Sequence, residues 1–207
     1  MYPLNGPSWS LFFEYIGNIL YALFIRKLST KALKVLVVGA GGALAIFSIF
    51  GPYGDICAGF SLTGVEFTGG FLRLLYAFSA GLLLSRIFKP IRLKGSFWIC
   101  SLSVVVLLAV PRIGGAEHLW MNGLYDTVCF ALFFPLIVYG GASGRITDRY
   151  TQRMCKFLGD ISYPLYMVHY PFIYLYYAWV KNEGLTFRDS LPGALAVVVG
   201  SILLAYI

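Results

Sequence analysis

The stretch LKVLVVGAGGALAIFSIF (33–50) carries one charge, Lys34, in an otherwise apolar run. Crossing the hydrocarbon core of a bilayer takes roughly 20 predominantly apolar residues, with about 17 to 25 the usual range. Its glycine-rich centre, GAGGA (39–43), is not a nucleotide loop, because no strand precedes it. Small residues at close helix contacts account for it instead. Similar apolar runs occupy 9–26, 68–88, 96–111, 119–141, 157–180 and 191–207, the run at 96–111 being short and the last ending with the chain. The whole chain agrees: it is 59% hydrophobic and only 12% charged, with a mean hydropathy of +0.78. A soluble domain has about a quarter of its residues charged. Continuous runs favour helices over a barrel, whose strands alternate in segments of about ten residues. The prediction is an all-α, polytopic transmembrane helix bundle of about seven spans, forming a single membrane domain over 1–207.

Basic residues fall on alternate connections. Arg26, Lys27, Lys31 and Lys34 follow the first run, Arg86, Lys89, Arg92 and Lys94 the third, and Arg145, Arg149, Arg153 and Lys156 the fifth. The other connections hold Arg112, Lys181 and Arg188, and Arg73 lies within a run. The positive-inside rule then puts the basic loops in the cytoplasm and the N-terminus of this chain outside. The net charge of +7 is thus a topology signal, and the expected surroundings are a lipid bilayer, with no nucleic acid. Cys57, Cys100, Cys129 and Cys155 are scattered and form neither a disulfide framework nor a metal-ligand spacing, so no metal is expected. Met1 is not followed by a charged signal-peptide region. Both ends are abrupt, which predicts a piece of a longer protein.

Ionisable residues inside a membrane are costly and usually face a bundle interior or a wet cavity. Glu14, Arg73, Asp126 and His169 are the four in question. With the orientation above, the first three lie about 8–10 Å below the outer surface. His169 lies near the middle or in the outer half, so all four can share a level. Arg73 could pair with Glu14 or Asp126. Asp126 and Arg73 also read as structural ion pairs or helix glue. His169 can take and return a proton, with a carboxylate holding its tautomer. Around it, LGDISYPLYMVHYP (158–171) places Tyr163 and Tyr166 too deep for an interfacial belt. Pro164 and Pro171 are expected to bend the span on either side of His169 and free carbonyls to line a polar pocket.

FLGDISYPLYMVHYPFI (157–173) resembles the signature late helix of the acyltransferase-3 family of integral membrane acyltransferases. GPSWSLFFE (6–14) is similar to the family's tryptophan–serine–leucine start of its fourth helix. RLLYAFSAGLLLSR (73–86) and FFPLIVYGGA (133–142) resemble two further family helices in the same order. The resemblance implies a core of ten helices with both ends cytoplasmic, of which this chain supplies the fourth to the tenth. It also implies a multi-pass protein of the bacterial inner membrane. Family members transfer acyl groups, mostly acetyl from acetyl-CoA, to sugar hydroxyls of envelope glycans such as polysaccharides and lipopolysaccharide.

Residue by residue, the resemblance makes Glu14 and His169 the candidate catalytic pair. Trp9, Ser10, Arg73, Tyr163 and Tyr166 match family positions as candidate substrate-binding residues, with Ser10 also a candidate N-cap, and Asp126 joins them as an ionisable residue within an apolar run. Acetyl-CoA is the implied co-substrate and a glycan the implied acceptor. A histidine would deprotonate an acceptor hydroxyl, an acid such as Glu14 would orient that base, and tyrosine or arginine donors would hold the oxyanion. Arg145, Arg149, Arg153 and Lys156 could attract the CoA phosphates, which topology explains equally well. The family's first three helices, with their histidine and cytoplasmic arginine motif, have no counterpart here, so the fragment could be inactive. The alternatives are a non-catalytic membrane remnant and part of a transporter or flippase, the latter predicting an inverted repeat that the seven runs do not show.

Overall fold

The structure, a computed structural model, describes residues 6, 8–91, 93–115, 117–144, 146 and 148–207. Arg92 and Arg145, counted above among the basic residues, lie outside the described residues. Among the described residues there are seven α-helical segments and no strand. They are α1 (Ser8–Leu23), α2 (Thr30–Phe50), α3 (Gly64–Ile87), α4 (Ser96–Leu108), α5 (Trp120–Val128) running on into α6 (Phe134–Ala142), α7 (Arg149–Glu183) and α8 (Phe187–Tyr206). The runs read from the sequence match these segments. Four are long and apolar enough to cross a membrane: α2, α3, the continuous Trp120–Ala142 and α8. Helices α1 and α4 are shorter, and the tyrosines, prolines and charged ends of α7 keep it out of that group. The protein is an integral membrane protein with an all-α fold.

By its internal contacts the chain divides into two compact units, Phe12–Ile146 and the pair Met1–Leu11 with Thr147–Ile207. In the first, polar and apolar groups exchange their usual places. Ser48 and Ser79 are fully buried while Val35 and Val38 are three-quarters exposed, as expected where the surroundings are hydrocarbon and the interior must satisfy the polar groups. Ala40, Leu44, Tyr76 and Phe130 form the core. Gly41 of the glycine-rich run lies tight against the Tyr76 ring, whereas Gly39 and Gly42 face open space. Helices α2 and α5 cross tightly. There Ser48 Oγ donates to the Gly123 carbonyl at 3.1 Å, and a Cβ on Gly123 would stand 2.1 Å from the Ser48 carbonyl oxygen.

The run 119–141 was expected as one helix. It is continuous, but Cys129–Phe133 forms a π turn, and Pro135 supplies the reason. The Phe134 amide bonds back to the Cys129 carbonyl, and in that register the Phe130 carbonyl would look to residue 135, which has no N–H. Tyr76 fills the gap: its hydroxyl donates to the Phe130 carbonyl at 2.9 Å, and its ring meets the Phe130 ring edge-on at 4.9 Å.

Contacts within this unit sort the connections by charge. At the base-rich end, Arg86 donates to the Leu28 carbonyl at 2.7 Å, Tyr139 donates to the Lys89 carbonyl, and Leu93 bridges Gly144. At the base-poor end, Arg112 pairs with Asp55 and Asn122 exchanges two hydrogen bonds with Ile113. Within this unit the alternate connections do share an end.

The second unit is dominated by α7, whose length departs from expectation. It spans 35 residues, about 52 Å, against a hydrocarbon core of about 30 Å. The segment from Arg149 to Lys156, read as loop, is helix. Asp148 accepts from the Thr151 amide at 2.6 Å and caps it there. The Thr151 hydrogen bonds hold the Asp148 carboxyl below the usual carboxylate range, so the cap persists at neutral pH and is lost only as pH falls through that lowered value. The helix runs through both Pro164 and Pro171. Gly184 ends it in the left-handed conformation, φ +60, and Thr186 caps α8 by accepting from the Asp189 amide. Helix α8 returns along α7, with Gly193 tight against Trp179.

Gly123→Ala should lower stability by about 1–3 kcal/mol, the cost of overpacking a close crossing, whereas Gly42→Ala, which meets nothing within 4 Å, should not. Thermal unfolding in detergent measures both. Equal melting temperatures for the two variants would mean that the α2–α5 crossing yields.

Candidate functional site

Two polar clusters, one in each unit, hold most of the residues singled out by the sequence. In the first unit, the connection between α2 and α3 folds inward, so that Ala58 is fully buried and Asp55 nearly so. Irregular backbone in such a place needs side chains to satisfy it. Glu66, in the first turn of α3, accepts from the Gly59 amide at 2.8 Å, the Phe60 amide at 3.1 Å and the Tyr53 hydroxyl at 2.6 Å. Asp126 on α5 accepts from the Ile56 amide at 3.2 Å. Arg73 on α3 donates to the Ala58 carbonyl at 3.1 Å. Asp55 accepts from the Cys57 amide at 2.8 Å and from Arg112 at 2.5 Å. The hydrogen bond to the Glu66 carboxylate raises the Tyr53 phenol above its usual pKa, because ionising it would lose that bond and set two anions together.

Arg73 and Asp126 thus hold anchors two residues apart on one loop, Ala58 and Ile56. Arg112 and Asp55 form an ion pair at this end. Glu14 is exposed on α1, and its backbone carbonyl accepts from Asn18 at 2.9 Å. Its neighbour Phe13 is the buried one, packed on Gly70 and on the Phe67 ring.

In the second unit, the first turn of α1 meets the middle of α7. Ser10 is the third residue of α1 and so is not its N-cap. Its hydroxyl is bonded to that of Tyr166. The Tyr166 ring lies 6.0 Å from the imidazole of His169, and Tyr170 packs over Gly6. Trp9, Tyr166 and His169 are half-buried, while Tyr163 is 61% exposed. His169 Nδ1 lies 2.9 Å from the Leu165 carbonyl one turn back. A carbonyl can only accept, so Nδ1 carries a proton, and in the neutral imidazole the lone pair is left on Nε2. The arrangement offers a base at Nε2 with hydroxyls one turn away.

Sequence reasoning missed Glu66, the Asp55–Arg112 pair and Tyr76. Glu66 stands just outside the apolar run at 68–88, Arg112 was counted only as a loop base, and Tyr76 reads as one more aromatic in an apolar stretch.

A family model described as "Acyltransferase domain" matches residues 1–207. No curated protein and no solved structure matches the chain.

Asp126→Ala removes the acceptor of the Ile56 amide and should destabilise the unit by about 1–3 kcal/mol, the cost of an unpaired buried donor. Asp126→Asn keeps an oxygen there and should cost less. Amide hydrogen exchange at Ile56 should accelerate in the alanine variant only; unchanged exchange there would remove the anchoring role.

Proposed function

The chain belongs to the acyltransferase-3 family, and from that premise we propose that it transfers an acetyl group from acetyl-CoA to a sugar hydroxyl of an envelope or extracellular glycan. The observation that carries the chemistry is the tie between His169 Nδ1 and the Leu165 carbonyl, which leaves Nε2 able to accept a proton. In this reading Nε2 takes the proton of the acceptor hydroxyl as that oxygen attacks the thioester carbonyl. The new carbon–oxygen bond forms, the carbon–sulfur bond breaks, and the proton passes to the departing CoA thiolate.

Tyr166, linked to Ser10, is assigned to hold the acceptor beside Trp9 and Tyr163. Arg73 and Asp126 are assigned to substrate. Glu14 is assigned as a second functional acid. Residues 1–207 act as one membrane domain in the bacterial inner membrane. The excess of bases on alternate connections supports an orientation with the N-terminus of this chain outside.

The test is transfer of label from radiolabelled acetyl-CoA to a purified envelope glycan by the protein in lipid. His169→Ala should reduce transfer by about 10²–10⁴-fold, the usual contribution of a general base. Glu14→Gln should also reduce it, and both variants should unfold at the wild-type temperature. Full labelling by both would remove these two residues from the chemistry, and none by the wild-type chain would favour a non-catalytic remnant.

A further inference from the structure

Helix α7 is longer than a bilayer requires, and its extra length is charged. Between Asp160 and Lys181 lie twenty residues without Asp, Glu, Lys or Arg. They make about 30 Å of helix, the thickness of the hydrocarbon core. The helix begins at Arg149, so about 18 Å of it precedes that stretch. Arg149, Arg153 and Lys156 stand at i, i+4 and i+7 of this overhang and share one face. All three are exposed, and among the described residues none of them is in an ion pair. Thr151, on the opposite face, is buried. Of the nearby acids, Asp148 is engaged with the Thr151 amide, and Asp160 shares the basic face one turn beyond Lys156.

Level and spacing together indicate the partner. The headgroup layer adds about 5–7 Å to the hydrocarbon on each side. Lys156 lies about 8 Å outside the start of the uncharged stretch, Arg153 about 12 Å and Arg149 about 18 Å. The ring of Phe157, beside Lys156, lies 6.0 Å from the ring of Tyr206 at the end of α8. Both rings are exposed, as aromatic residues at a membrane interface are. Bases just outside a membrane attract anionic lipid, and the attraction fades over a Debye length of about 10 Å. The three bases form a row about 10 Å long and do not converge on one point. A row suits separate phosphates on a membrane surface better than the clustered phosphates of one soluble molecule.

We infer that the start of α7 binds the phosphodiester of an anionic phospholipid through Lys156 and Arg153, with Arg149 adding attraction from farther out. The site uses none of the residues assigned to acetyl transfer and is measured by binding alone.

The experiment uses the whole chain in phosphatidylcholine nanodiscs with two probes, a phosphatidylglycerol and a zwitterionic phospholipid, each bearing the same photoreactive group near its headgroup. The anionic probe should label peptides from residues 149–160. Lys156→Gln and Arg153→Gln should each lower that labelling about fivefold, equivalent to about 1 kcal/mol per base. Arg149→Gln should lower it less, Arg153→Lys should leave it unchanged, and Asp160→Asn should raise it. Melting temperatures equal to wild type establish that the variants are folded. Equal labelling by the zwitterionic probe, label spread evenly over the other basic connections, or labelling indifferent to both Lys156→Gln and Arg153→Gln would each overturn the inference. Loss of label on adding coenzyme A would assign the row to a soluble phosphate and overturn it too.

Discussion

A backbone carbonyl within a bilayer has no water to bond, so every irregularity in a membrane helix must find its partner inside the protein. Much of this structure follows from that constraint. Pro135 sits in the middle of a membrane span and deprives the preceding turn of a donor. The helix answers by widening to a π turn, and the Tyr76 hydroxyl takes up the Phe130 carbonyl. The residue that satisfies the carbonyl also fills the core, which is why a tyrosine stands where the apolar pattern alone would accept a phenylalanine.

The same requirement explains the charges around the α2–α3 connection. Ala58 is fully buried, and the backbone on either side of it is held by Asp126, Arg73 and Glu66. An acid takes an amide, a base takes a carbonyl, and the groups come from two helices, α3 and α5. Arg73 and Asp126 therefore have structural work whatever else they do. Roles in binding substrate would be added to that work.

On α7 the economy of bonding has a chemical consequence. The Leu165 carbonyl accepts from the His169 side chain, and that one contact decides which imidazole nitrogen keeps its lone pair. Ser10 and Tyr166 join the first turn of α1 to the same stretch of α7. The family's motifs at the two ends of the sequence thus become neighbours in the folded second unit.

The sequence by itself determined the class of protein, the place of each helix and the alternation of basic connections. Hydropathy and charge are summed over many residues, and a bilayer leaves few other solutions. It also singled out His169, Tyr166, Arg73 and Asp126, because polar groups in apolar runs are conspicuous. It did not determine where α7 begins: apolar content marks the part of a helix that lipid covers, whereas the start at Arg149 is set by the Asp148 cap. Nor did it reveal that Ser10 bonds Tyr166, that Glu66 clamps a loop or that Tyr76 serves Pro135. Those partners lie six or more residues away along the chain, up to 156 for Ser10 and Tyr166. Only the tertiary structure decides them, because which donor meets which acceptor depends on how helices cross and not on what each one contains.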